Sequence, residues 1–143
     1  MLPLWAFAQA IYRSPGFAEA ALRLQDEHDA DVCVLIWLIW HLRQGNGVDA
    51  ATLGPILAAI QPWRTGVIEP LRAARRAMKP LLEATPLRTQ VQALELEAEQ
   101  RHLARLDTIT LSGPPCDNLA VYATLLDTTF PPDDVAILLA ATA

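Results

Sequence analysis

The densest grouping of side chains able to do chemistry lies between Arg64 and Lys79. Arg64, Arg72, Arg75, Arg76 and Lys79 fall within sixteen residues. The last four follow i, i+3, i+4, i+7, so a helix carries them on one face. Four cations on one stripe repel one another unless something negative lies opposite. Arginine forks match carboxylate and phosphate, which makes the stripe a seat for an anionic small molecule or a protein partner. The internal alternative, favoured here, draws the counter-charge from the Asp26–Asp31 segment or from Glu95, Glu97 and Glu99.

Two acidic groups could supply acid–base or metal chemistry. Asp26, Glu27, Asp29 and Asp31 surround His28. A metal needs several ligands converging, but Asp26 and Glu27 point to different sides of a helix. Capping and solvation explain the group. Asp31 is singled out because it adjoins an apolar run and is within reach of Arg72 or Arg76. Glu95, Glu99 and His102 follow i, i+4, i+7, and Glu99–His102 has the Glu-x-x-His spacing of di-iron bundles. Such proteins need a second copy and two more glutamates, which the chain lacks. No metal and no cofactor is expected.

His41 follows Trp37 and Trp40 near a helix end, where a lone histidine is usually hydrogen-bonded or paired with the helix dipole. No nucleophile or acid is nominated beside it, so no catalytic residue is assigned. Cys33 reads as a small apolar filler. Trp5, Trp37, Trp40 and Trp63 build a core, although an aromatic-lined pocket would use the same residues. Signatures for serine hydrolases, nucleotide loops, dinucleotide folds and zinc sites are absent.

The elements that position these residues follow from punctuation. Val32–Trp40 is nine apolar residues without a break. A bilayer span needs about 20, so this is a core helix, here read as 31–44 with Asp29 or Asp31 as its N-cap and Gly45 at its end. Helix one runs from Pro3 to Tyr12, with Trp5, Ala8 and Tyr12 on one face. Ser14-Pro15 reads as an N-cap and first helical position for helix two, which runs to about His28. Asp49 starts helix four, and Pro62 ends it and opens helix five, 63–79, with Pro70 as a kink. Helix six spans Leu87 to Leu106, with Val91, Leu94, Ala98 and either Arg101 or His102 as its stripe, widened by Leu96, Leu103 and Leu106. Two short helices, 119–126 and 133–141, follow the Ser112–Asn118 loop. The expected fold is all-α: one domain over 1–143, an orthogonal or bundle-like array of seven or eight helices around helix 31–44.

Composition bounds the function. With 11 Lys and Arg against 16 Asp and Glu, the net charge of −5 argues against nucleic acid, which favours a basic footprint. A contact through helix five is the weakest reading. An apolar fraction of 52% points to apolar surface that meets a partner, and self-association is expected. Cys33 and Cys116 lack any CxxC spacing and suit a reducing cytoplasm. No targeting segment or membrane span is read.

Several short strings carry a resemblance: Leu4-Trp5-x-Phe7-Ala8, Tyr12-x-x-Pro15-Gly16, Leu24-Gln25-Asp26, Ala30-Asp31-Val32 and the Trp40 region. Trp63-x-x-x-Val67, Leu71-Arg72-x-x-Arg75-x-x-x-Lys79 and Leu94 to Glu99 extend it to about Leu106. Together they resemble a family of small bacterial proteins catalogued as a domain of unknown function. The resemblance implies a compact helical cytoplasmic protein and no activity. The family pattern has Asn where this chain has Cys33, so any core hydrogen bond or ligand contact of that Asn is lost here.

Two functions are therefore expected. The first is a non-enzymatic interaction protein with an apolar and Arg-rich surface. The alternative is an anion-binding protein or enzyme with a pocket between helices 31–44 and 63–79. Asp31, Arg72, Arg75 and His41 would face one another there, with Trp37 and Trp63 as walls.

Overall fold

A helix that is apolar on every side belongs at the centre of a protein, and α3 (Val32–Arg43) is such a helix. Val34, Leu35, Trp37, Leu38 and Ile39 are all fully enclosed. Enclosing each large side chain contributes about 1.5–3 kcal/mol, so this one element supplies much of the core. In the computed structural model, which describes residues 1–143, α3 is flanked by α1 (Leu4–Tyr12), α2 (Phe17–His28), α6 (Thr85–Asp107) and α7 (Asn118–Leu125). The remaining helices are α4 (Ala50–Trp63), α5 (Glu69–Met78) and α8 (Pro132–Ala140). α4 packs on α7, α8 covers α2, and α5 lies along α6. The fold is all-α, with eight α-helices in all and the expected one, α3, at the centre.

The ends of α3 show why it begins and stops where it does. Asp31 is the N-cap: its Oδ1 accepts from the Cys33 amide at 2.9 Å. At the other end Gly45, at φ 80°, donates to the Leu42 carbonyl and Asn46 donates to that of His41. That pair of bonds is a Schellman closure, and the left-handed residue in it favours glycine. Asp29, the other expected cap, instead closes α2 in a left-handed conformation.

Two boundaries and one buried face differ from the sequence reading. Ser14-Pro15-Gly16 is a turn, in which the Ser14 carbonyl accepts from the Phe17 amide, and Gly16 is the N-cap of α2. Pro62 does not end α4. The helix runs through Pro55 and Pro62 and continues into a π-helical turn, Arg64–Ile68, closed by the Glu69 amide on the Arg64 carbonyl. Pro70, at the start of α5, can offer no N–H to the turn before it. A widened turn accommodates that loss, so the rod bends and does not break. The buried stripe of α6 is Glu95, Ala98, His102 and Leu106, with Leu103 beside it, whereas Leu94 faces solvent.

The loop before α7 is tied to the end of α3 by Asn118, which is fully buried. Its Oδ1 accepts from the Val48 amide, and its Nδ2 donates to the carbonyls of Leu38 and Asn46. Gly47 and Gly113 meet here, the Gly47 amide donating to the Gly113 carbonyl at 2.9 Å. A Cβ on Gly47 would lie 2.0 Å from the Pro114 carbonyl oxygen, so this crossing requires glycine. No helix is long and apolar enough to cross a membrane.

Candidate functional site

A cleft of about 620 Å³ opens between α1 and α2 on one side and α5 and α6 on the other, floored by α3. That size suits a small organic molecule. Trp5 and Tyr12 of α1 form one wall. This is the face that the α1 spacing brings together, while Leu4, Phe7 and Ile11 turn to the core. Val32 and Ile36 of α3 and Leu103 of α6 form the apolar floor.

Charge enters from α5 and α6. The Arg75 guanidinium donates twice to Glu95, Nε to Oε2 at 2.5 Å and Nη2 to Oε1 at 3.3 Å. Arg72 reaches two carboxylates at longer range, Glu95 at 3.5 Å and Glu99 at 3.6 Å. Arg76 lies 3.6 Å from Asp26, with both side chains about half exposed. The counter-charge to the basic stripe is thus internal, and most of it comes from α6. Burial pushes the Glu99 carboxyl up, the Glu95 charge adds to that, and Arg72 opposes it.

Asp31 lies at the inner edge of the cleft, but its partner is not an arginine of α5. His102 Nε2 lies 2.7 Å from its Oδ2, and its backbone amide donates to the Tyr122 hydroxyl at 2.8 Å. Burial alone would raise the Asp31 carboxyl. The hydrogen bond and charge of His102, with help from Arg64 and the Cys33 amide, outweigh it, and the pKa falls below the ordinary value. Arg64 is itself buried. It donates to the carbonyls of Asp29 and Ala30 and pairs with Glu69. The widened π turn therefore delivers a cation to the carbonyl ends of the α2–α3 corner.

Of the residues expected at a ligand or partner contact, Asp31, Arg72, Arg75 and Arg76 come together at the cleft, whereas Trp37, His41, Trp63 and Lys79 do not. Trp37 is enclosed in the core and packs edge-on to His41, ring centroids 5.3 Å apart. His41 is buried between Trp37 and Trp40, and that burial lowers its pKa. Trp63 faces α6, its indole N–H donating to the Ala98 carbonyl at 2.9 Å. Lys79 ends α5 in solvent. His41 and Trp37 lie outside the cleft because α3 is buried on all sides, so its aromatic residues serve the core, and Trp63, at the end of α4, is held against α6 by its bond to Ala98.

Sequence reasoning did not assign roles to Tyr122 or Asn118, placed Arg64 only within the basic grouping, and did not pair His102 with Asp31. A histidine on the α6 stripe was the one signal available for the last. Cys33 lines the cleft, yet burial pushes its thiol well up, with the Asp31 and Glu99 charges adding to the effect, so it is held as a thiol. Glu95, Glu99 and His102 do not converge on a metal position. The two glutamates meet arginines, and His102 turns inward to Asp31.

Fold and cleft define an all-helical protein with a half-apolar, charge-lined interhelical site. The chain belongs to the family described as protein of unknown function DUF2390, whose model matches residues 3–106. Every side chain lining the cleft, from Trp5 to Leu103, lies inside that span. No curated protein and no solved structure matches the chain.

Proposed function

We propose that this is a non-enzymatic binding protein whose cleft takes a small organic molecule, with an anionic group held by Arg72. The carrying observation is the contrast between two arginines one turn apart. Arg75 is closely bonded to Glu95, whereas both carboxylate contacts of Arg72 exceed the 2.7–3.2 Å of good hydrogen bonds. A guanidinium has five N–H donors, so Arg72 retains donors for a ligand at the mouth of an apolar floor. Arg75 and Glu95 act as the strut that holds the wall. Cys33, the one thiol in the cleft, is kept protonated, which disfavours thiolate chemistry there. Both cysteines are free, and a reducing cytoplasm suits them.

A thermal-shift panel of aromatic and aliphatic carboxylates and phosphates tests this reading. A binder at 100-fold its Kd should stabilise the fold by about 2.7 kcal/mol, and Arg72→Gln should abolish the shift. A panel with no stabilising member, or shifts unchanged in Arg72→Gln, would sink it.

A second reading rests on a different observation. α5 and the first half of α6 form a hairpin whose tip carries exposed leucines: Leu81, Leu87 and, at 85% exposure, Leu82. That tip is the apolar surface for a protein partner or for self-association. Light scattering should give a mass above the 15.7 kDa protomer, returning to it in Leu82→Ser/Leu87→Ser. A monomeric wild type removes the self-association.

A further inference from the structure

The anionic group of the proposed ligand fixes only half of its chemistry, and the other half, which Glu99 dictates, rests on the same reading of the cleft. Four ionised side chains meet where α5 faces α6: Arg72, Arg75, Glu95 and Glu99. Their charges sum to zero. Arg75 and Glu95 satisfy each other through two hydrogen bonds. Arg72 and Glu99 remain, 3.6 Å apart, and this is the sole ion pair of the Glu99 carboxylate. Glu99 is otherwise faced by the like charges of Glu95 on its own helix and Asp31 from α3, with the Tyr12 phenol from α1 nearby, and the one further cation in range, Arg75, is already bonded to Glu95.

A simple anion seated on Arg72 would draw that guanidinium from Glu99. Glu99 would then stand, partly desolvated, among negative charges, an arrangement that buried ions avoid. A ligand with a cation close to its anion resolves both demands. Its carboxylate takes the free donors of Arg72, its ammonium neutralises Glu99, and the local sum stays at zero. The apolar groups of Trp5, Ile36 and Leu103 line the same cleft and match an apolar side chain on such a molecule. We propose that the cleft binds a zwitterion of the amino-acid type with an apolar side chain, its carboxylate on Arg72 and its ammonium on Glu99.

Titration calorimetry at neutral pH with three probes tests this: L-phenylalanine, N-acetyl-L-phenylalanine (anion only) and L-phenylalanine amide (cation only). Losing a charge-assisted hydrogen bond costs about 1.5–3 kcal/mol, so the zwitterion should bind at least about tenfold tighter than either derivative. Glu99→Gln should erase its advantage over the N-acetyl compound, and Arg72→Gln its advantage over the amide. If the N-acetyl compound matches or exceeds the zwitterion in the wild type, the zwitterion is overturned while the anion cleft stands. Equal binding of the amide overturns the pairing with Arg72. If none of the three binds, the zwitterion is overturned, and the thermal-shift panel of carboxylates and phosphates decides the cleft separately. The wild-type ranking decides the matter even where a variant fails to fold.

Discussion

Nε2 of His102 lies 2.7 Å from Oδ2 of Asp31, joining the longest helix to the first turn of the central one across 71 positions of sequence. Both side chains are almost wholly buried. The same aspartate caps α3 through Cys33 and sits beside the Tyr122 hydroxyl, which accepts from its amide. Three helices, α3, α6 and α7, are therefore registered on one residue. Burial and the Asp31 charge push the Tyr122 phenol up, so it remains a neutral hydroxyl at physiological pH.

Asp31→Asn keeps an N-cap acceptor and removes the charge opposite His102. Breaking a buried pair costs about 3–5 kcal/mol. Denaturant melts should show a loss near the lower end of that range, or about 6–12 °C in Tm for a chain of this size. The pH dependence has a definite sign. The folded-state pKa of Asp31 lies below the ordinary value of about 3.9. Its contribution is therefore complete above about pH 5 and is lost as pH falls through the lowered folded value. The stability gap between wild type and Asp31→Asn should narrow on acidification below about pH 4. A gap that stays constant down to about pH 2 would remove the charge from the account.

Arg75–Glu95 and Arg101–Glu97 are both arginine–glutamate pairs, but only the first is shielded, at 23% and 10% side-chain exposure against 67% and 52%. A double-mutant cycle should return a coupling above about 1 kcal/mol for the shielded pair, consistent with charged hydrogen bonds. The exposed pair should return no more than about 0.5 kcal/mol. Raising salt should erase the second and leave most of the first. Equal couplings would refute the role of Arg75 and Glu95 as the strut of the cleft.

The two thiols should react very differently. Cys33 is buried and its thiol is raised by desolvation, then by the Asp31 and Glu99 charges, whereas Cys116 is exposed in the loop before α7. A colourimetric disulfide reagent should titrate one thiol rapidly in the native protein and two in denaturant. Mass spectrometry should place the fast label on Cys116. Fast labelling of Cys33 would mean that the cleft floor opens readily.

Asn118→Ala removes four side-chain hydrogen bonds from a fully buried position and leaves the Val48 amide and the Asn46 carbonyl unsatisfied. Each such group costs about 1–3 kcal/mol, so a total loss of about 3 kcal/mol or more is expected. The Val48 amide should also lose its hydrogen-exchange protection ahead of the α3 amides. Unchanged protection would show that the loop is held by other bonds.

The helical class and its hub were legible because they rest on local rules. An unbroken apolar run capped by Asp31 and stopped at Gly45 specifies a buried helix of definite length without reference to anything distant. The π turn was not legible. Pro62 and Pro70 signal interruption, but whether the chain breaks or widens depends on what Arg64 finds across the α2–α3 corner. The stripe of α6 was read correctly from Ala98 onward but took Leu94 in place of Glu95, for a related reason. Glu95 looks like a surface residue until Arg72 and Arg75 neutralise it, after which a glutamate can face inward.

The sequence alone determined that this chain would be helical, where α3 would lie, and that the cations of α5 would need anions nearby. Periodicity, caps and charge spacing act within a few residues, and one chain displays them in full. Tertiary structure alone decided that Asp31 answers to His102, that Glu95 belongs to Arg75, and that Arg72 and Glu99 are left facing a cleft. Partner choice among several arginines and several carboxylates depends on how rigid helices cross, and that geometry is set by core packing over long separations in sequence.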